Sequence, residues 1–107
     1  MEAQNTDGVL HIAVIPYETG EKHYVYSRKL SPDGTEWIRE GSFVEYYPDG
    51  TLASEGLYED GLEEGYWKDY HENGNIAAEG YYSRGEETGT WRFYNEQGEL
   101  EEEENYD

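Results

Sequence analysis

The stretch from Gly65 to Gly89 reads GYWKDYHENGNIAAEGYYSRGEETG. It holds four tyrosines, one tryptophan and five glycines among many carboxylates, and no continuous apolar run. Its neighbours explain it, because the same pattern returns every 24 residues without a gap. Gly41, Gly65 and Gly89 align, as do Phe43, Trp67 and Trp91, and Tyr46, Tyr70 and Tyr94. Gly50, Gly74 and Gly98 follow, then Leu52, Ile76 and Leu100, then Glu55, Glu79 and Glu103, then Tyr58, Tyr82 and Tyr106. A fixed period of this size marks a repeat architecture.

Each unit reads as two short strands and two turns. SFVEYY, YWKDYH and TWRFYN are aromatic-rich runs of strand length, and they end in PDG, ENG and EQG, where proline presets φ and glycine accepts positive φ. The second strands, TLASEGLYE and NIAAEGYYS, end in the glycine-bounded turns DGLEEG and RGEETG. Side chains alternate across a strand. One face of the second strand therefore carries Leu52, Ser54, Gly56 and Tyr58, then Ile76, Ala78, Gly80 and Tyr82, and is expected to pack. Gly56 and Gly80 leave room for a neighbouring ring over the backbone. A three-residue PDG loop would pair Tyr46 with Leu52, whereas a two-residue NG loop would place Trp67 opposite Gly80. A one-residue slip between the two exchanges the faces. The other face carries Ala53, Glu55, Leu57 and Glu59, then Ala77, Glu79, Tyr81 and Ser83, and reads as a solvated face or a contact surface.

The pattern of glycine, aromatic, YxxxG, small residues, EGxY and a glycine pair resembles the MORN-repeat variant of many bacterial proteins, over about residues 33–107. The resemblance implies an all-β fold, a single extended, twisted antiparallel sheet of stacked hairpins that binds and does not catalyse. It also implies kinship with proteins that serve as antitoxins, immunity proteins or scaffolds. Units are expected at about 41–64, 65–88 and 89–107, with 1–32 as a β capping segment. There, GVLHIAVIPYE and KHYVYSRKL read as strands joined at ETGE, and Val9 to Ile15 caps the first end. The next Pro-Asp-Gly lies 16 residues before the one at Asp49, which reads as a shortened unit. ELEEEENYD stays in register as a terminal strand whose charge blunts a sheet edge.

Composition narrows the chemistry. The 107 residues carry 26 acids against 7 Lys and Arg, for a net charge of −19. Residues 1–35 hold 5 acids and 3 bases, and residues 36–107 hold 21 acids and 4 bases, net −17. Such a surface attracts basic proteins and repels nucleic acid and anionic lipid. There is no cysteine, hence no disulfide or thiolate chemistry. MEAQNT lacks a basic region followed by an apolar stretch, and VLHIAVI is far shorter than the ~20 residues of a membrane helix, so a soluble, cytoplasmic protein is expected. His11, His23 and His71 have no metal-ligand spacing, and no nucleophile, phosphate-loop or EF-hand motif is present. A thin sheet offers no cleft for paired carboxylates. No enzyme activity, cofactor or metal is expected, although the DGLEEG and RGEETG turns offer oxygens that a calcium ion would accept weakly.

The expected function is binding. Aromatic residues beside carboxylates suit Arg- or Lys-rich partners, and the candidate contact residues are Glu55, Glu63, Glu64, Trp67, Asp69, Tyr70, Glu79, Tyr81, Glu86, Glu87 and Trp91. The favoured partner is the basic surface of a toxin, effector or nucleic-acid enzyme, with no direct nucleic-acid or membrane contact. Six strands at ~4.8 Å span roughly 30 Å, so the net charge falls about every 1.7 Å, near that of duplex DNA. DNA mimicry is therefore one form the binding could take. A non-inhibitory scaffold is the alternative. The sequence leaves the oligomeric state open.

Overall fold

The computed structural model describes residues 9–107, and the first part of the expected capping segment, residues 1–8, lies outside them. Eight strands follow one another: β1 His11–Pro16, β2 Lys22–Leu30, β3 Trp37–Tyr46, β4 Leu52–Glu59, β5 Leu62–Tyr70, β6 Ile76–Ser83, β7 Glu86–Tyr94 and β8 Leu100–Tyr106. They pair in sequence order as one antiparallel sheet, with extents of 55 × 39 × 15 Å. All eight strands belong to this one sheet, so among the described residues no second layer of strands packs on either face.

Two kinds of connection alternate. Asp60-Gly61 and Arg84-Gly85 are two-residue turns with φ of 51° and 85°, and of 51° and 83°. Positive φ at both positions defines the turn that follows the natural twist of a hairpin. Each turn also rests on the preceding hairpin: Gly61 N–H donates to Arg39 O and Gly85 N–H to Glu63 O, both at 2.9 Å. The acids Glu40 and Glu64 accept from the turn amides of Asp60 and Arg84 at 2.8 Å. At the other end, Tyr47, His71 and Asn95 open wider loops through Gly50, Gly74 and Gly98. There the Tyr17 hydroxyl donates to Tyr46 O at 2.7 Å, the Tyr47 hydroxyl to Tyr70 O, and His71 Nε2 to Tyr94 O at 2.8 Å. His71 is thus a tie between adjacent hairpins. The two Pro-Asp-Gly turns lie at opposite ends of the sheet, because only strand β3 separates them. The 16-residue spacing is one strand with its loops, not a shortened unit.

The hairpin register reconciles the two pairings that the loops alone suggest. Tyr46 pairs with Leu52 and Tyr70 with Ile76, yet Phe43 pairs with Gly56 and Trp67 with Gly80. A one-residue bulge between them makes both true. It also corrects the expected faces. Leu52 and Ile76 move to the face of Ala53, Glu55 and Glu79, and Ile76 lines a depression there with Glu79 and Tyr94. Ser54, Gly56 and Tyr58, and Ala78, Gly80 and Tyr82, keep the packed face.

That packed face, the ring face, holds the core. Phe43, Trp67 and Trp91 are 6%, 7% and 4% exposed, with Tyr24, Tyr26, Tyr58, Tyr82, Phe93 and Tyr106 packed around them. Ring centroids follow one another at 5.4 Å (Phe43 and Tyr58), 5.4 Å (Tyr58 and Trp67), 5.8 Å (Trp67 and Tyr82) and 5.1 Å (Tyr82 and Trp91), mostly edge to face. This is the favoured aromatic geometry. Glycine is required at two places. A Cβ on Gly56 would lie 2.1 Å from the Trp67 ring, and one on Gly80 2.1 Å from Trp91. Each indole lies over the glycine of the preceding hairpin and donates to its backbone, Trp67 to Leu57 O at 3.1 Å and Trp91 to Tyr81 O at 3.0 Å. Rings laid along the backbone thus bury one another without a second layer.

Candidate functional site

The face opposite the rings, the ladder face, is crossed by one straight row of paired residues. Val14, Val25 and Val44 occupy it in β1 to β3, and Glu55, Lys68, Glu79, Arg92 and Glu103 in β4 to β8. The charges alternate, and opposite charges directly across strands attract. Arg92 Nε donates to Glu103 at 2.9 Å, and Lys68 lies 5.3 Å from the Tyr66 ring. Tyrosine hydroxyls complete the ladder: Tyr70 donates to Glu55 at 2.5 Å, and Glu79 accepts from Tyr94 at 2.5 Å and from Tyr66. The two hydroxyls, Tyr66 first, hold the Glu79 carboxyl below the usual range. Burial and then the Glu55 hydrogen bond push the Tyr70 hydroxyl up to about 12. The acids at the centre of this face therefore have internal partners. An open depression of about 360 Å³ lies where its apolar and charged halves meet, lined by Val44, Glu55, Leu57, Tyr66 and Lys68.

The ring face is different. Over β4 to β8 its strand residues include Glu63, Asp69, Glu87, Glu102 and Glu104, and no Lys or Arg. Among the described residues none of these acids is in an ion pair. Asp69 accepts from the Ser54 hydroxyl at 2.7 Å and Glu104 from the Tyr106 hydroxyl. The neighbouring Glu104 raises the Glu102 carboxyl above the usual carboxylate range, by hydrogen bond and by charge. The Tyr82 hydroxyl is pushed up by burial and then by the charges of Glu87, Glu63 and Asp69. Near its turn end this face carries a second row, running Arg28, Arg39, Tyr58, Glu63, Tyr82, Glu87 and Tyr106 from β2 to β8. Cations hold one end of the row, and tyrosines alternate with carboxylates at the other.

A sequence profile of the MORN repeat variant matches residues 39–60, 63–84 and 87–107. The chain belongs to the MORN repeat variant family. No curated protein and no solved structure matches it. As MORN repeats, its three units make a repeat-based module for protein interaction. Among the described residues there is no helix long and apolar enough to cross a membrane, and no group of three or more His, Cys, Asp or Glu arranged to hold a metal ion.

The candidate contact residues divide between the two faces of the MORN sheet. Glu63, Trp67, Asp69, Glu87 and Trp91 lie on the ring face, and Glu55, Glu64, Tyr70, Glu79, Tyr81 and Glu86 on the ladder face. Trp67 and Trp91 are core, 7% and 4% exposed. Glu55, Glu79 and Tyr70 belong to the hydroxyl-carboxylate ladder, and Glu64 caps the Arg84 turn. Tyr81 is 51% exposed, with its ring 5.3 Å from Tyr66. Three acids stand together beside the half-buried Tyr82: Asp69 and Glu87 are exposed and Glu63 is half-buried. Reading the sequence as strands did not bring out Tyr82, Tyr106 or Arg39. The 24-residue alignment of Arg39 with Glu63 and Glu87 was the signal available for the last.

Proposed function

We propose that this MORN-repeat chain is a non-catalytic cytoplasmic module that covers and neutralises a basic protein, of the class of a toxin, an effector or a nucleic-acid-processing enzyme. One observation carries the reading. The ring-face carboxylates of β4 to β8 lack cations of their own, whereas those at the centre of the ladder face are matched by Lys68, Arg92 and tyrosine hydroxyls. Unmatched charge beside aromatic rings is the surface that guanidinium and ammonium groups seek. Affinity capture from native lysate, washed at low and then high salt, tests this. A single stoichiometric basic protein, released by salt and inhibited by the module, is the expected result. Unchanged affinity after replacing Glu63, Asp69, Glu87 and Glu102 by Gln or Asn would refute it. If inhibition works by DNA mimicry, duplex DNA competes for the same partner.

A scaffold role has its own support. On the ladder face β1 exposes Ile12 at 65% and Val14 at 51%, and three strands on Leu57 of β4 is 50% exposed beside Val44. This apolar surface, on the opposite side of the sheet, would let the module hold two proteins at once. In that case removal of residues 65–88 weakens binding gradually and abolishes nothing.

A further inference from the structure

We infer that the positions around Glu63 and Glu87 each take an arginine side chain of the partner, the two guanidinium groups standing about 10 Å apart, two strand spacings. The inference rests on the binding function proposed above and assigns its partner chemistry. The molecule already holds one such occupant. In the first unit the residue aligned with Glu63 and Glu87 is Arg39. Its guanidinium lies 4.8 Å from the Tyr26 ring, 5.2 Å from Phe43 and 5.2 Å from Tyr58, and Nη1 donates to the Tyr58 hydroxyl at 3.2 Å.

The backbone around that position repeats. Gly41 pairs with Tyr58, Gly65 with Tyr82 and Gly89 with Tyr106. In the later units a carboxylate replaces the arginine, so the tyrosine keeps its place and the local charge inverts. Glu63 stands between Tyr58 and Tyr82, and Glu87 between Tyr82 and Tyr106. Trp67 and Trp91 are already covered, so an incoming side chain meets the tyrosines. Burial raises the Tyr82 hydroxyl first and the charges of Glu87 and Glu63 raise it further, so it lies in the same negative field. Arginine fits better than lysine, because a planar guanidinium stacks on a ring while its edge pairs with a carboxylate. The spacing selects the donor. Residues seven apart on one helix face are about 10.5 Å apart, so a helix with arginines at that interval reaches both positions.

The test uses the full chain and a synthetic helical peptide of alanine and glutamine with two arginines seven residues apart. Companion peptides carry citrulline, lysine, or arginines five apart. Binding is read by fluorescence anisotropy at low salt. The arginine peptide is expected to bind, and Glu63→Gln with Glu87→Gln to weaken it about tenfold, on the order of two surface ion pairs. Glu59→Gln with Glu18→Gln removes equal charge from exposed positions outside the contact set and is expected to change affinity less than twofold. Thermal melts establish that both variants are folded.

Equal loss from both pairs, equal binding of citrulline, lysine or five-spaced peptides, or no binding at millimolar peptide would each overturn the inference. So would a self-associated chain that Glu63→Gln with Glu87→Gln dissociates, because the occupant would then be the Arg28 and Arg39 end of a second copy. If a captured basic partner is released by salt yet is indifferent to Glu63→Gln with Glu87→Gln, the arginine positions fail while the neutralising function stands.

Discussion

Strands β1 to β3 and strands β4 to β8 share one backbone geometry and almost nothing else. Across the ladder face the same row of paired positions holds Val14, Val25 and Val44 in the first region and alternating Glu, Lys and Arg in the second. On the ring face the first region sets Tyr26 beside Phe43, where the second sets a glycine beneath an indole. The sheet thus tolerates two unlike chemistries on its ladder face, provided the ring face is filled. Filling is achieved in the first region by side chain against side chain, and in the second by side chain against backbone.

That contrast can be broken most forcefully at its glycines. Gly80→Ala puts a methyl into the Trp91 ring, and overpacking that no flexible chain can relieve should cost about 3 kcal/mol or more. In the first region Tyr26→Ala removes a whole half-buried ring and should cost only about 2 kcal/mol, because the neighbouring rings and Arg39 can close over it. Urea denaturation of both measures the order, and a reversed order would refute the backbone-packing account. Glu104 occupies the Gly80 position in the third unit, with no ring over it. Glu104→Ala should therefore lie within about 0.5 kcal/mol of the parent.

The ladder rows differ in their response to salt. Lys68→Glu sets like charges in a line from Glu55 to Glu79, at a cost of about 1 kcal/mol at low ionic strength, most of it recovered at about 1 M salt, where the screening length is ~3 Å. Val25→Thr in the apolar half should lose stability by an amount that salt does not change. Melting curves at two salt concentrations separate them.

Acid sharpens the same contrast. The folded-state carboxyl of Glu79 is held below its unfolded value by Tyr66 and Tyr94. Its stabilising contribution is thus present above the unfolded carboxyl pKa and is lost as pH falls through the lower, folded one. Tyr66→Phe with Tyr94→Phe should flatten the stability curve on its acid side, below about pH 4.3, without altering the plateau slope at neutral pH. At the alkaline end Tyr70, raised to about 12, contributes stability below its unfolded value that disappears as pH climbs through the folded one. The turns carry a small effect of the opposite sign. Asp60 tolerates its positive φ, whereas Arg84 has the same φ of 51° with a poorly suited side chain. Arg84→Asn should stabilise by about 0.5–1 kcal/mol.

Much of this architecture was legible because a repeat writes its own alignment. Gly56 and Gly80 could be read as places where a ring crosses the backbone, and the two rival registers could both be named. What strand periodicity could not supply was the bulge that joins them. A bulge adds one residue without any signature beyond Ala53 or Ala77, and it carries Leu52 and Ile76 across the sheet. The contact residues were less legible for a similar reason. Glu55 and Glu64 are chemically alike in sequence, yet one accepts a tyrosine hydroxyl and the other caps a turn, and only cross-strand neighbours distinguish them from the unmatched Glu63.

The backward reach of the indoles also gives the sheet an order of assembly. Trp67 lies over Gly56 and Trp91 over Gly80, so a hairpin is sealed by the strand that comes after it. A chain emerging from the ribosome therefore carries one unsealed glycine at its growing end, closed about 11 residues later when the next indole appears. Each closure prepares the next site and leaves the earlier ones undisturbed. At Glu104, in the place of Gly56 and Gly80, a carboxylate stands where an indole would need bare backbone, so that strand offers no seat for a further ring.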